Sequence, residues 1–456
     1  MAASFFSRTV TKRIIAGGAA VGGTGVAVNQ LSGPSLAHTA AEAKAQFETS
    51  WGYLNVVKLP DNWTGKVFRI RNDYPKLPGT FDIEAPWLDI DYKEDPLEYC
   101  ARVKLYCWEG NVNSEFDVHK NPIRPWYHAP WMHWNDNGRE PVHGLTFERP
   151  TKAGELSDKQ ETVVQAWAVG FYNWIGAATF GEIWEDPAKP NWETGVSFRP
   201  GTCVFKILMT EANETQLFNL KDAPTMQAFI ATPDSVKKNN ASERKTTPTD
   251  LRLLQVDFAV RDDRSPIGWV FGTFMYDGSL TQHKNTWDRI IPVGIMWGND
   301  PNLTKQDYAD GKRPVESWIN PVADDLKKRL GGTRASSPWG VSGRLNGPVD
   351  NFKSACTSCH STAENYPDGS VSMIPPDTCE AELWFRNLLA PKQSFTRCKA
   401  TGDYSLQLMT GYNNYLKWDG VQQGFKHKVK VSIPFSAAKK REAAIDAKRA
   451  PLRSQE

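Results

Sequence analysis

Between Leu251 and Arg261 the apolar residues Leu254, Val256, Phe258 and Val260 alternate with Gln255, Asp257, Ala259 and Arg261. A two-residue period of this kind predicts a half-buried β-strand. The breaker-rich run Asp262-Asp263-Arg264-Ser265-Pro266 follows, and Trp269 to Tyr276 is β-prone again, so the pair predicts a hairpin. Thr202 to Met209 and Arg289 to Trp297, built from Val, Ile, Phe and Trp, predict further strands. Upstream the period changes. Ser157 with Gln160 resembles a capping box, and Val163, Val164, Trp167 and Phe171 recur at helical spacing, which predicts a helix.

Residues 232–250 are polar, with Pro near both ends, and predict an exposed loop inside the β-rich region. An amphipathic helix is expected near Asp324 to Leu330, and the Gly, Ser and Pro crowding of 331–347 then predicts a linker. Short helices and loops follow it. The expected fold class is therefore α+β and multidomain: a β-rich domain over 48–330, sandwich or barrel-like, the linker, a small mostly α domain over 348–431, and a charged tail over 432–456.

Apolar residues are 40% and charged residues 23% of the 456, enough for a sizeable core. The 18 Trp suit cores, interfaces or cofactor pockets alike. Net charge is only +2 and no long basic block interrupts the body of the chain, which sets nucleic-acid binding aside. Residues 1–37 read as a targeting segment. Arg8, Lys12 and Arg13 stand among Ser and Thr, no acidic residue precedes Glu42, and a weak apolar run extends from Ile14 to Val28. As a helix that run would reach about 22 Å, short of a hydrocarbon core of about 30 Å, so membrane contact is expected to be peripheral at most.

Cys356-Thr357-Ser358-Cys359-His360 matches C-x-x-C-H, the attachment signature for c-type haem. Cysteines three apart share one face of a helical turn, so both sulfurs can reach one porphyrin edge, and the histidine next to them is placed to bind the iron. With 7 Cys and 8 His in 456 residues, chance yields this string on the order of 0.002 times. Two rival readings exist: a four-thiolate zinc site with Cys379 and Cys398, which would make the protein an interaction module, or a redox dithiol. The wide spacing of Cys379 and Cys398 speaks against zinc. The absence of a strand before the motif speaks against a thioredoxin-like dithiol.

Residues 346–416 resemble a cytochrome c domain, through Phe352, Cys356 to His360, the loop Met373-Ile374-Pro375-Pro376, and helix candidates at Cys379 to Leu389 and Tyr404 to Leu416. The resemblance implies one covalent haem c held by Cys356 and Cys359, with His360 as one axial ligand and a loop methionine as the other. Met373 matches that loop pattern, although it follows His360 by only 13 residues; Met409 is the alternative, but its neighbours place it within a helix. A His and Met pair suits one-electron exchange with a redox protein partner, whereas an open iron face would permit catalysis. The region upstream loosely resembles uncharacterised cytochrome-like proteins through Gly268-Trp269-Val270-Phe271-Gly272-Thr273-Phe274.

In that region Tyr127 to Trp134 holds His128 and His133 among Trp rings. These histidines can flank a small-molecule substrate pocket, bind a metal with His143, approach the haem edge, or belong to a Trp-rich structural loop. Thioether formation needs dedicated machinery, which for this family means the periplasm, the mitochondrial intermembrane space or the thylakoid lumen. The Ser and Thr-rich leader favours a mitochondrial transit peptide over periplasmic export. Four sequons, beginning at Asn62, Asn213, Asn240 and Asn302, are of a kind common by chance. Of the remaining cysteines, Cys379 and Cys398 both fall in the haem domain and are the preferred disulfide pair, with Cys100, Cys107 and Cys203 as further candidates. The expected function is a mono-haem electron carrier; a haem oxidoreductase in which His128 or His133 assists catalysis is the alternative.

Overall fold

The hairpin expected between residues 251 and 276 is present and lies at the centre of a larger sheet. A computed structural model describes residues 59–422 other than 134–136, 187–188, 366–370 and 398; at 379 and 418–422 it describes the backbone alone. The expected targeting segment, the expected charged tail and Cys398 lie outside the described residues.

Among the described residues nine strands are present: β1 (Trp126–Tyr127), β2 (Thr146–Phe147), β3 (Ala166–Asn173), β4 (Cys203–Thr210), β5 (Thr225–Ala228), β6 (Thr249–Arg261), β7 (Trp269–Tyr276), β8 (Ile290–Met296) and β9 (Ser317–Ile319). All pair antiparallel in one sheet of order β1-β3-β4-β6-β7-β8-β9, with β2 also on β3 and β5 also on β6. The β-rich expectation holds. The sandwich or barrel does not: among the described residues every strand belongs to this one sheet, and no ladder joins β1 to β9. Helices cover it instead, chiefly α1 (Pro96–Trp108), α2 (Trp174–Ile183), α3 (Pro233–Lys237), α4 (Lys305–Ala309), α5 (Pro321–Leu330), α6 (Cys356–His360) and α7 (Leu406–Gln422).

One expected helix is a strand. Residues 157–160 form a turn in which Gln160 Oε1 accepts from Leu156 N, and 166–173 become β3 with every residue buried. With both faces covered, no alternation survives to mark the strand, and Trp167 and Phe171 mimic a helical repeat. The amphipathic helix appears as α5, with Ala323, Leu326 and Leu330 buried. The expected loop 232–250 opens with the single turn α3, and its last two residues already belong to β6.

Two apolar clusters lie on the two faces of the sheet. One joins α1 to Trp126, Phe171, Phe205 and Ile207; the other joins α7 to Tyr172, Trp184, Trp269 and Phe271. Many Trp are core residues, among them Trp87, Trp126, Trp167 and Trp192. Each buried ring removes about 150–250 Å² from water, an upper estimate of about 4–6 kcal/mol apiece.

Residues 331–347 pack into the same body. Arg344 is buried and donates to the carbonyls of Asn299, Asp300 and Leu303 at 2.8, 2.8 and 2.9 Å, and Leu345 is fully buried. The described residues all fall within one compact unit. A stretch that carries buried backbone contacts cannot serve as a solvated spacer, so its Gly and Ser content marks tight packing here.

Candidate functional site

The cysteine motif is one short helix, α6, whose side chains divide by direction. Thr357 and Ser358 are fully buried. Thr357 Oγ1 donates to Asn299 Oδ1 at 2.6 Å, and Ser358 Oγ accepts from Ala355 N at 2.8 Å. Cys356 N also donates to Leu345 O at 3.0 Å, so the two inner residues and the backbone clamp the turn. Cys356, Cys359 and His360 share the opposite side and line a cavity of about 380 Å³. That volume lies within the range of about 300–1,000 Å³ usual for small-molecule and cofactor sites.

The cavity floor is the sheet. Tyr172, Val204, Ala259 and Phe271 form one cross-strand row, and Gly170, Lys206 and Asp257 form the next, all lining the cavity. The imidazole of His360 packs on Phe271 with ring centroids 4.8 Å apart. Its Nδ1 lies 2.8 Å from the carbonyl oxygen of Tyr404; since a carbonyl only accepts, Nδ1 carries the proton and Nε2 keeps its lone pair. Burial pulls the His360 pKa down to about 4, against the pull of the Tyr404 carbonyl, so the ring is neutral and able to ligate. Burial likewise pushes the Cys359 thiol up to about 12 and the Cys356 thiol well above its ordinary value.

Tyr404 owes its placement to Asp403. Both residues have positive φ, 47° and 65°, and the buried Asp403 carboxylate accepts from Phe198 N at 2.7 Å, Trp269 Nε1 at 2.9 Å and Arg261 Nη1 at 3.2 Å. Left-handed backbone at a non-glycine residue carries strain and persists where its surroundings over-determine it. Here those bonds aim the carbonyl at His360. The sequence predicts a helix from Tyr404, but the helix begins at Leu406, because nothing in the sequence marks the Asp-Tyr pair as left-handed.

A charged group occupies the neighbouring wall. Lys206 Nζ is 3.3 Å from Asp257 and 3.9 Å from Glu148, and Asp350 also lines the cavity. Burial opposes the Lys206 charge, but Glu148, Asp257 and Asp350 outweigh it and hold the ammonium above its usual pKa. Burial raises the pKa of Glu148 and of Asp257, with Lys206 acting against it. The sequence signal existed in Lys206 inside an apolar strand and Asp257 at an alternate position. The polar side of β6 faces this cavity.

The candidate methionines divide. Met373 lines the cavity and is 43% exposed, whereas Met409 is buried in the apolar cluster around Leu408 and Tyr412 and does not line it. Met132, which no sequence motif marks, lines it as well. His128 and His133 are buried outside the lining. His128 Nδ1 accepts from Arg71 N at 3.0 Å, and its ring meets Phe68 and Phe171. Burial, reinforced by Arg139, holds His128 well below its ordinary pKa. Among the described residues no three or more His, Cys, Asp or Glu side chains gather as a metal cage, and no helix is long and apolar enough to cross a membrane.

No protein-family model, no curated protein and no solved structure matches the chain.

Proposed function

We propose that the chain is a c-type cytochrome, with one haem joined by thioether bonds to Cys356 and Cys359, and that it serves one-electron transfer with a protein redox partner. One observation carries the reading: the two thiols and the imidazole of the motif open together onto one cavity, while Nδ1 of that imidazole is already committed to the Tyr404 carbonyl. Nε2 of His360 is then the nitrogen for the iron. The tilted ring contact with Phe271 and the carbonyl bond fix its orientation, and the desolvated pocket keeps it unprotonated. Haem bound there supplies a one-electron iron couple. Tyr172, Phe271 and Trp269 offer apolar ring surface to a flat cofactor, and the sheet beneath them excludes water from one side.

Met373 and Met132 are the lining residues that would have a thioether to offer as a second ligand, and we favour Met373 from its loop position beside Pro375. A second reading, a haem oxidoreductase with an open iron face, is favoured by the enclosed wall of Lys206, Asp257, Glu148 and Asp350, which can hold and pass protons to a bound small molecule. The leader and the attachment chemistry together favour the mitochondrial intermembrane space, with the periplasm as the alternative compartment.

The test is haem staining and intact mass on the denatured chain produced with a haem-attachment system. Retained colour and one added haem are expected, both lost in Cys356→Ser with Cys359→Ser; a colourless chain refutes the proposal. Carbon monoxide added to the reduced protein separates the two readings, since rapid binding means an open face and resistance means a closed carrier.

A further inference from the structure

The haem reading uses Cys356 and Cys359 and leaves Cys100, Cys107 and Cys203 among the described thiols. Two of these meet. Cys107 lies in the last turn of α1, Cys203 opens β4, and their sulfurs are 3.6 Å apart with the residues 2% and 0% exposed. The contact lies on the sheet face away from the cavity, in the cluster with Trp108, Trp126 and Phe205.

We infer that Cys107 and Cys203 are joined by a disulfide in the mature protein. Sulfurs at van der Waals contact, in a rigid core, need only a small side-chain adjustment to reach bonding distance. Cys100 cannot pair with Cys107, because seven residues along a helix separate their Cα atoms by about 10 Å, beyond the limit of about 7 Å for a bridge. The compartments that attach haem c are also those in which disulfides persist, so the cross-link is compatible with the function proposed above and independent of it.

The chemistry is thiol–disulfide exchange with an incoming disulfide-bearing oxidase. Each cysteine gives up its proton, the pair gives up two electrons as the S–S bond forms, and the oxidase leaves as a dithiol. Exchange must precede docking of α1, since both sulfurs are closed off afterwards. Burial also pushes the Cys203 thiol well above its ordinary pKa, which leaves little thiolate to attack in the folded state. Once made, the bond ties α1 to the strand that carries Val204 and Lys206 on its cavity side, closing a span of 96 residues.

The test uses the full chain exported to a bacterial periplasm, denatured without reductant, alkylated with N-ethylmaleimide and mapped by mass spectrometry. A peptide pair cross-linked between Cys107 and Cys203, about 2 Da lighter than the two free thiols, is expected, as is recovery of both alkylated sites after dithiothreitol. Cys107→Ser and Cys203→Ser should each abolish it and lower the unfolding midpoint by about 3–5 °C, the shift that about 2–4 kcal/mol produces in a domain of this size. Full alkylation of both sites in the unreduced wild-type chain, or a cross-link from either to Cys100, overturns the inference. The map of the wild-type chain decides the matter even if a variant fails to fold, and it reads the same with or without haem.

Discussion

Removing the Asp403 carboxylate should destabilise the fold strongly. In Asp403→Ala three donors lose their partner at once: Phe198 N at 2.7 Å, Trp269 Nε1 at 2.9 Å and Arg261 Nη1 at 3.2 Å. Asp403 is 0% exposed and the Arg261 side chain 7%, so water cannot replace what is lost. Arg261 retains Asp263 at 3.2 Å through Nε, which relieves part of the charge penalty. Breaking a buried ion pair from one side costs about 3–5 kcal/mol, and the two orphaned N–H groups place this site at the upper end of that range. Urea unfolding followed by circular dichroism reads the loss as a fall in midpoint at unchanged slope. Pairing Asp403→Leu with Arg261→Met should recover a good part of it, because two apolar side chains leave no buried charge behind. A loss below about 1 kcal/mol for Asp403→Ala would refute the reasoning, and with it the claim that this residue holds the Tyr404 carbonyl in place.

Three further outcomes are expected. Burial raises the pKa of fully buried Glu140 from 4.5 to about 7, so its contribution to stability is present below pH 4.5 and is lost as pH rises through 7. Glu140→Gln should therefore gain on the wild type by about 3 kcal/mol between those pH values, seen in paired denaturation curves; a pH-independent difference contradicts this. Gly272→Ala should cost about 1–3 kcal/mol, because the added Cβ would lie 2.2 Å from the Phe258 ring directly across the ladder; calorimetry showing an unshifted midpoint would count against that packing. Lys206→Met leaves Asp257 and Glu148 without their cation, and should cost about 3–5 kcal/mol at neutral pH but less in acid, where the carboxylates are protonated; equal losses at both pH values would show the group to be uncoupled.

Much of this molecule is determined by the sequence alone. The alternation in β6, the turn at Asp262 to Pro266 and the β-branched runs of β4 and β8 are local facts, and they appear where the pattern puts them. The C-x-x-C-H string is equally local, because four covalently adjacent steps place both thiols and the imidazole on one side of a turn whatever surrounds it. The tertiary structure decided what was not local. Burial on both faces turned the helical spacing of Trp167 and Phe171 into a strand, packing against the carbonyls at 299–303 made a wall of an apparent linker, and one sheet took the place of a sandwich. The cavity itself joins residues far apart in the chain, Tyr172 and Lys206 with His360 and Tyr404. Sequence period reports which residues avoid water, but not which distant element does the covering. For the same reason Asp257 reads as solvent-facing along the chain and faces a chemical site in space.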